Sequence, residues 1–184
     1  MIEKVQGVLD LSLNDPEYLL DANCLIDPYN RYYQMSFDLS ERFWNRLKQL
    51  VTSGVVAVID KVKDEVYGKN SDKLDLWLDE VTNTIIECKG SEGIVGQYKQ
   101  VLQFLQSPDC QYQQTAILDW ADEKVADPWL IGAASHLKST IVTFENAQSK
   151  KDAPWKHPKI PTVAKACGIQ CIHLFDFMKK VGHF

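Results

Sequence analysis

The chain has 184 residues, 45% of them hydrophobic and 24% charged, with a formal net charge of −5; this is the composition of a globular domain with enough chain to bury a core. No apolar run approaches the roughly 20 residues that cross a bilayer. The start, MIEKVQGVLDL, carries acids and reads as no secretory signal, and five irregularly spaced cysteines make no disulfide framework. Membrane and secreted-scaffold classes are set aside, and one domain over 1–184 in a reducing cytoplasm is expected. Charge is uneven: residues 1–146 hold 13 Lys/Arg against 23 Asp/Glu, while residues 147–184 hold 7 against 2. A solvated basic tail explains this, and so does a basic lip beside an acidic centre that suits a polyanion.

In chain order, "YLLDA" (18–22) reads as a buried strand. Phe43, Trp44, Leu47, Leu50 and Val51 then recur at helical spacing up to a stop at Gly54. "VVAVI" (55–59) is a second buried strand, and "DKVKDEVYG" (60–68) a helix with Asp60 as N-cap and Gly68 at its end. Residues 71 to 120 are mostly helical in pattern, with "TIIECK" inside them a short strand or an irregular link. "DPWLIGAASHLKS" (127–139) is a helix, "TIVTF" (140–144) a strand, and 146–162 a loop whose three prolines oppose a helix. "VAKACGI", "QCIHLF" and "DFMKKVG" close with helix, strand and helix. Buried strands alternating with helices predict a mainly parallel sheet covered on both faces, an α/β class of fold. Sites in such sheets form beyond the carboxyl ends of the strands. Asp21 and Glu145 both fall on that edge.

Four acids stand out by position: Asp21, Glu65, Asp127 and Glu145. Each has a structural explanation. Asp21 and Asn23 suit a turn after a strand. Glu65 lies four residues from both Lys61 and Lys69, as on a salt-bridged surface face. Asp127 before Pro128 is the pattern of an N-cap with proline at N1. Glu145 is the first residue past a strand, and Asp27 before Pro28 reads as ending a turn. If the acids converge, they repel and raise one another's pKa values, and a hard divalent cation relieves the repulsion. Such a site supports phosphodiester hydrolysis with no nucleophilic Ser, Cys or His.

"YLLDANCLID", "VIDKVKDEVYG", "ADPWLIGAA" and "IVTFE" occur in the order of the motifs of PIN-domain nucleases, and the chain resembles that family from about residue 17 to 178. The nearest resemblance is to PIN-like proteins ending, as here, in "KIPTVAKACGIQCIHLFDF". The resemblance implies a three-layer α/β/α sandwich around a mainly parallel sheet and an Mg²⁺- or Mn²⁺-dependent ribonuclease acting on RNA. It also implies the toxin half of a toxin–antitoxin pair, with an antitoxin protein and a homodimer as partners. By motif, Asp21 matches the strand-one acid, Asn23 the polar residue two positions on, Glu65 the helix acid, and Asp127 the acid of "DPWLIGAA". Glu145 stands where the family carries Asp or Asn, so Asn146 shares the candidate role and Asp122 is a further candidate. Asp21 and Asp127 are then the primary metal ligands, Glu65 completes the shell, and Glu145 serves a second ion or a water.

Between residues 147 and 159, Lys150, Lys151, Trp155, Lys156, His157 and Lys159 form a candidate RNA contact; an exposed loop with Trp155 packed on the core is the other reading. Cys167 and Cys171 lack the second pair a zinc site needs and are expected to fill a buried helix and strand. His173 reads as a core or sheet-face residue, and Trp44, Trp77, Trp120 and Trp129 as core. The competing function is a catalytically inactive binding module. An aspartyl-phosphate hydrolase wants Asp where Asn23 stands, and a nucleotide fold wants a glycine-rich loop that "DANCLIDP" lacks. Residues 1–16 lie outside the resemblance and form an extension of unknown role.

Overall fold

The computed structural model describes residues 15–69, 72–108, 110, 112–149 and 155–184. Its sheet has four strands, β1 (Tyr18–Leu20), β2 (Val56–Ala57), β3 (Thr140–Thr143) and β4 (Cys171–His173). They run in the order β2-β1-β3-β4 and every pairing is parallel. Leu19 stands opposite Ala57 on one side and Ile141 on the other. Leu19, Leu20, Ile141 and Val142 are fully buried. A parallel sheet needs cover on both faces, which is why these strands are continuous apolar runs and not alternating ones.

The cover comes from helices α1 (Asn23–Asp27), α2 (Asp38–Thr52), α3 (Asp60–Val66), α4 (Asp72–Glu80), α5 (Glu92–Leu105), α6 (Gln114–Trp120), α7 (Ala126–Leu137), α8 (Ile160–Ala166) and α9 (Leu174–Val181). The result is the expected three-layer α/β/α sandwich. One core cluster runs through it, from Phe43, Trp44 and Leu47 of α2 to Leu174 and Phe177 of α9. All four tryptophans expected in the core are buried.

The tightest helix pair is α5 on α7. Tyr98 stacks on Trp129 with ring centroids 3.8 Å apart, and Ser135 donates its hydroxyl to Gln97 at 2.7 Å. Gly132 permits this approach, since a Cβ there would stand 2.7 Å from the Tyr98 backbone nitrogen. Tertiary packing thus explains a glycine in mid-helix, where it otherwise costs stability.

Local structure departs from expectation where proline and short acids were read as stops. "NCLID" is helical and continues into a π-helical turn, Pro28–Tyr32, which Pro28 opens. Asp27 therefore ends a helix and ion-pairs Arg31 at 3.4 Å. Pro161 likewise opens α8 inside the expected loop. Asp60 and Asp127 are first-turn residues and not N-caps; Ile59 and Val125 hold those positions. "TIIECK" begins at the end of a 3₁₀ turn, Thr82–Thr84, supplies a single bridge, Ile86 to Ile59, and is otherwise irregular. Cys167 and Cys171 are half-buried free thiols.

Candidate functional site

Strand β1 has neighbours on both sides, and the chain direction of the crossovers reverses between β1 and β3. That is the switch point where open α/β sheets leave a crevice at the carboxyl edge. Asp21 stands there, one residue past β1, only 4% exposed. Its backbone N–H donates to the Val142 carbonyl at 3.0 Å, extending the β1–β3 ladder by one step.

The Thr143 hydroxyl organises this edge. It donates to Asp21 Oδ2 at 2.6 Å and accepts from the Glu145 N–H at 3.0 Å and the Asn23 amide at 3.4 Å. One donor and two acceptor sites exhaust a hydroxyl. Asn23 also accepts the Phe144 N–H on Oδ1 at 2.9 Å. Asn23 therefore ties the start of α1 to the end of β3.

Asp127 sits in the first turn of α7, half-buried. Burial pushes its carboxyl up to about 8, and the charges of Asp21, Glu145 and Glu65 add to the rise against an opposing Lys159. Burial likewise pushes Asp21 up to about 7; the Thr143 hydrogen bond opposes the shift, and Glu145 and Glu65 reinforce it. Glu65 has exposed surface at the rim, yet loss of hydration still raises its carboxyl, with Lys69 lowering it and Glu145 raising it. Cys171 on β4 feels the same field, its thiol pushed up to about 12 by burial first and then by Asp21 and Glu145. Asp21, Glu65, Asp127 and Glu145 thus act on one another electrostatically across the cleft.

Glu145 is already engaged. Its Oε1 takes the Lys159 ammonium at 2.7 Å and its Oε2 accepts the Ile160 N–H at 2.9 Å, at the start of α8. Among the described residues, no group of three or more His, Cys, Asp or Glu is gathered closely enough to hold one metal ion. The donor set nevertheless fits Mg²⁺ or Mn²⁺. It consists of carboxylates short of positive charge, and Mg²⁺ is commonly held by one or two carboxylates with waters and substrate phosphates completing its shell. Asp21 and Asp127 are such a pair.

Other candidates lie elsewhere. Asp122 is exposed and its Oδ1 caps a turn at the Lys124 N–H. Asn146 and Lys156 are exposed. Lys150 and Lys151 lie outside the described residues. Trp155 is half-buried, its ring 5.2 Å from Tyr112 and its N–H donated to the Ser149 carbonyl at 2.8 Å, so it is turned toward the protein. Lys159 is paired internally. Sequence reasoning missed Thr143 and the Lys159–Glu145 pair. The hydroxyl in "IVTFE", two residues before the acid, was the available signal for the first.

The parallel order β2-β1-β3-β4 in a three-layer α/β/α sandwich is a PIN-like fold. Residues 18–183 match the domain of unknown function DUF4411, and the chain belongs to that family. No curated protein sequence matches the chain. Among solved structures, FitAcB from Neisseria gonorrhoeae is similar at 15% identity and a TM-score of 0.50, with 84% of this chain and 96% of that one covered. VapBC2 from Rickettsia felis bound to a DNA fragment from their promoter is similar at 15% identity and a TM-score of 0.46, with 85% and 97% covered. The likeness to FitAcB is one of fold.

Proposed function

We propose that the protein is a divalent-metal-dependent endoribonuclease, acting in the cytoplasm as the toxin component of a toxin–antitoxin pair. The observation that carries this reading is the placing of buried Asp21 and half-buried Asp127 at the β1/β3 carboxyl edge, within electrostatic reach of Glu65 and Glu145. The ordered motifs "YLLDANCLID", "VIDKVKDEVYG", "ADPWLIGAA" and "IVTFE" support the nuclease and toxin assignments through their resemblance to PIN-domain nucleases. They also support an antitoxin protein and a second copy of the chain as partners, and a single domain over 1–184.

In this reading Asp21 and Asp127 hold Mg²⁺ or Mn²⁺, with Glu65 at the rim completing or orienting the shell. When bound, the cation supplies water activation and neutralises charge on the scissile phosphate. Thr143 fixes the Asp21 carboxylate through its 2.6 Å hydrogen bond. Glu145 positions the opening of α8 and keeps Lys159 beside the acids. The burial of Asp21 and Thr143 strengthens the hydrogen bond between them.

The test is cleavage of single-stranded RNA by purified protein in Mg²⁺ or Mn²⁺, comparing the parent with Asp21→Asn and Asp127→Asn. Loss of cleavage in both is expected; unchanged metal-dependent cleavage by both sinks the reading. The engagement of both Glu145 oxygens favours a second reading, a silent binding module acting through a protein or RNA partner. Titration with Mn²⁺ separates the two. A nuclease site gains thermal stability that is lost in Asp127→Asn, and a silent module gains none.

A further inference from the structure

Beside the acid cleft lies a cluster of aromatic rings that the chemistry above leaves unused. Tyr32, at the end of the π-helical turn after α1, stacks on Phe144 with centroids 5.6 Å apart and planes 22° apart. Phe175 meets both rings edge-on at 5.5 Å, and His173 meets Phe144 edge-on at 4.8 Å. Phe144, Phe175 and His173 are half-buried, whereas Tyr32 is 51% exposed. The cluster thus ends in a single ring backed by three others.

Its position ties it to the site. Phe144 stands between Thr143 and Glu145, and its N–H is bound by Asn23, two residues from Asp21. Arg31, with a side chain 71% exposed, neighbours Tyr32 in sequence, and Lys159 reaches Glu145 next to Phe144. Arg31 and Lys159 are held by Asp27 and Glu145, so the feature on offer beside the acids is the exposed aromatic ring, the kind of surface on which single strands stack their bases. One exposed ring is small for a protein partner, whose footprint is typically about 800 Å² per side.

We propose that Tyr32, supported by Phe144 and Phe175, is a stacking platform for one unpaired base of the nucleic-acid substrate. The proposal rests on the nuclease reading and adds to it a contact for one unpaired base, since a paired base offers no free face. Tyr32 contributes a π-face and no hydrogen-bond reading of base identity, so the platform accepts any of the four bases. It acts in binding, so its loss raises KM and leaves kcat nearly intact.

The test measures binding apart from cleavage. An Asp127→Asn background prevents turnover, and a short fluorescein-labelled single-stranded oligoribonucleotide of mixed sequence is the probe, beside a duplex of the same sequence. Tyr32→Ala is expected to bind the single strand about 5- to 100-fold more weakly, the worth of one stacked base. Tyr32→Phe and Tyr32→Trp are expected to keep parental affinity, and the duplex to be insensitive to all three. Tyr32→Leu preserves apolar cover should the alanine variant fail to fold, and shares its expected weakening. Parental affinity in Tyr32→Ala or Tyr32→Leu, or equal weakening by Tyr32→Phe, overturns the proposal. So does a parent that binds no single strand, or a change in sedimentation that makes the ring a protein contact. Cleavage by the Asp21 and Asp127 variants is scored separately, so a failed platform leaves the nuclease reading standing, and the reverse is equally visible.

Discussion

Thr143 and Asp21, 122 positions apart in sequence, are joined by a 2.6 Å hydrogen bond that closes the carboxyl edge of the sheet. The hydroxyl lowers a carboxyl that burial raises, so it is the group that makes ionised Asp21 tolerable. Thr143→Val keeps the shape and removes the donor. Urea denaturation should show a loss of about 1–3 kcal/mol, the cost of stranding buried polar partners. The loss should be larger at pH 8 than at pH 5, because only the ionised carboxylate depends on the bond. A loss that does not change with pH would refute this role.

The pH dependence of the metal-free protein follows from the two buried acids. Loss of hydration pushes Asp21 up to about 7 and Asp127 up to about 8, from an ordinary 3.8. Between those limits the native state binds more protons than the unfolded one, so stability falls as pH rises. The melting temperature should decline from about pH 5 to pH 8.5 beyond what other groups cause. Asp127→Asn should flatten that decline and melt higher than the parent at pH 8. A parent that is equally stable at both ends of the window would contradict the burial of these charges.

At Glu145 the partners rank the substitutions. Glu145→Ala abandons the Ile160 N–H and the Lys159 ammonium together, for an expected loss of about 1–2 kcal/mol. Lys159→Ala removes only an ion pair whose lysine is 42% exposed, and should cost less than about 1 kcal/mol. Chemical denaturation of the two variants gives the order directly, and the reverse order would show that Glu145 is not the anchor of α8.

Two glycines make a paired test of helix packing. Gly132→Ala must push a methyl against the Tyr98 backbone, which cannot give way as a side-chain tip can; a loss of about 1–3 kcal/mol is expected. Gly96→Ala, in the same helix pair, meets nothing within 4 Å and should stabilise by about 0.5–1 kcal/mol. Thermal unfolding of both variants checks the contrast.

The strands and the long helices were legible because each depends on a local pattern: the apolar runs at Tyr18, Val56 and Ile141, and the helical spacing from Phe43 to Val51. Asp21 and Asp127 could be singled out for the same reason, since strand ends and helix starts are local events, whereas Glu65, near the end of α3, was singled out through the motif resemblance. What could not be read was pairing. Nothing near Glu145 in sequence says that Lys159 and the Ile160 N–H will occupy its oxygens. Likewise, nothing in "IVTFE" tells which acid the threonine will meet. Pro28 and Pro161 misled in the other direction, because a proline stops a helix from within and starts one from its first turn. The Tyr32 stack was invisible for a further reason: it joins a turn, a strand end and a helix start that have no common period.

The place of β1 between β2 and β3 has a consequence for how the protein is made. Asp21 leaves the ribosome before its strand partner Thr140–Thr143 and the helix bearing Asp127, which both follow about a hundred residues or more later. Contacts of such separation form late, after most of the chain is available. A nascent chain that stops short of α7 therefore carries Asp21 and Glu65 without Asp127 or the Thr143 hydroxyl. The set of acids at the carboxyl edge is thus completed only after both α7 and β3 have been made.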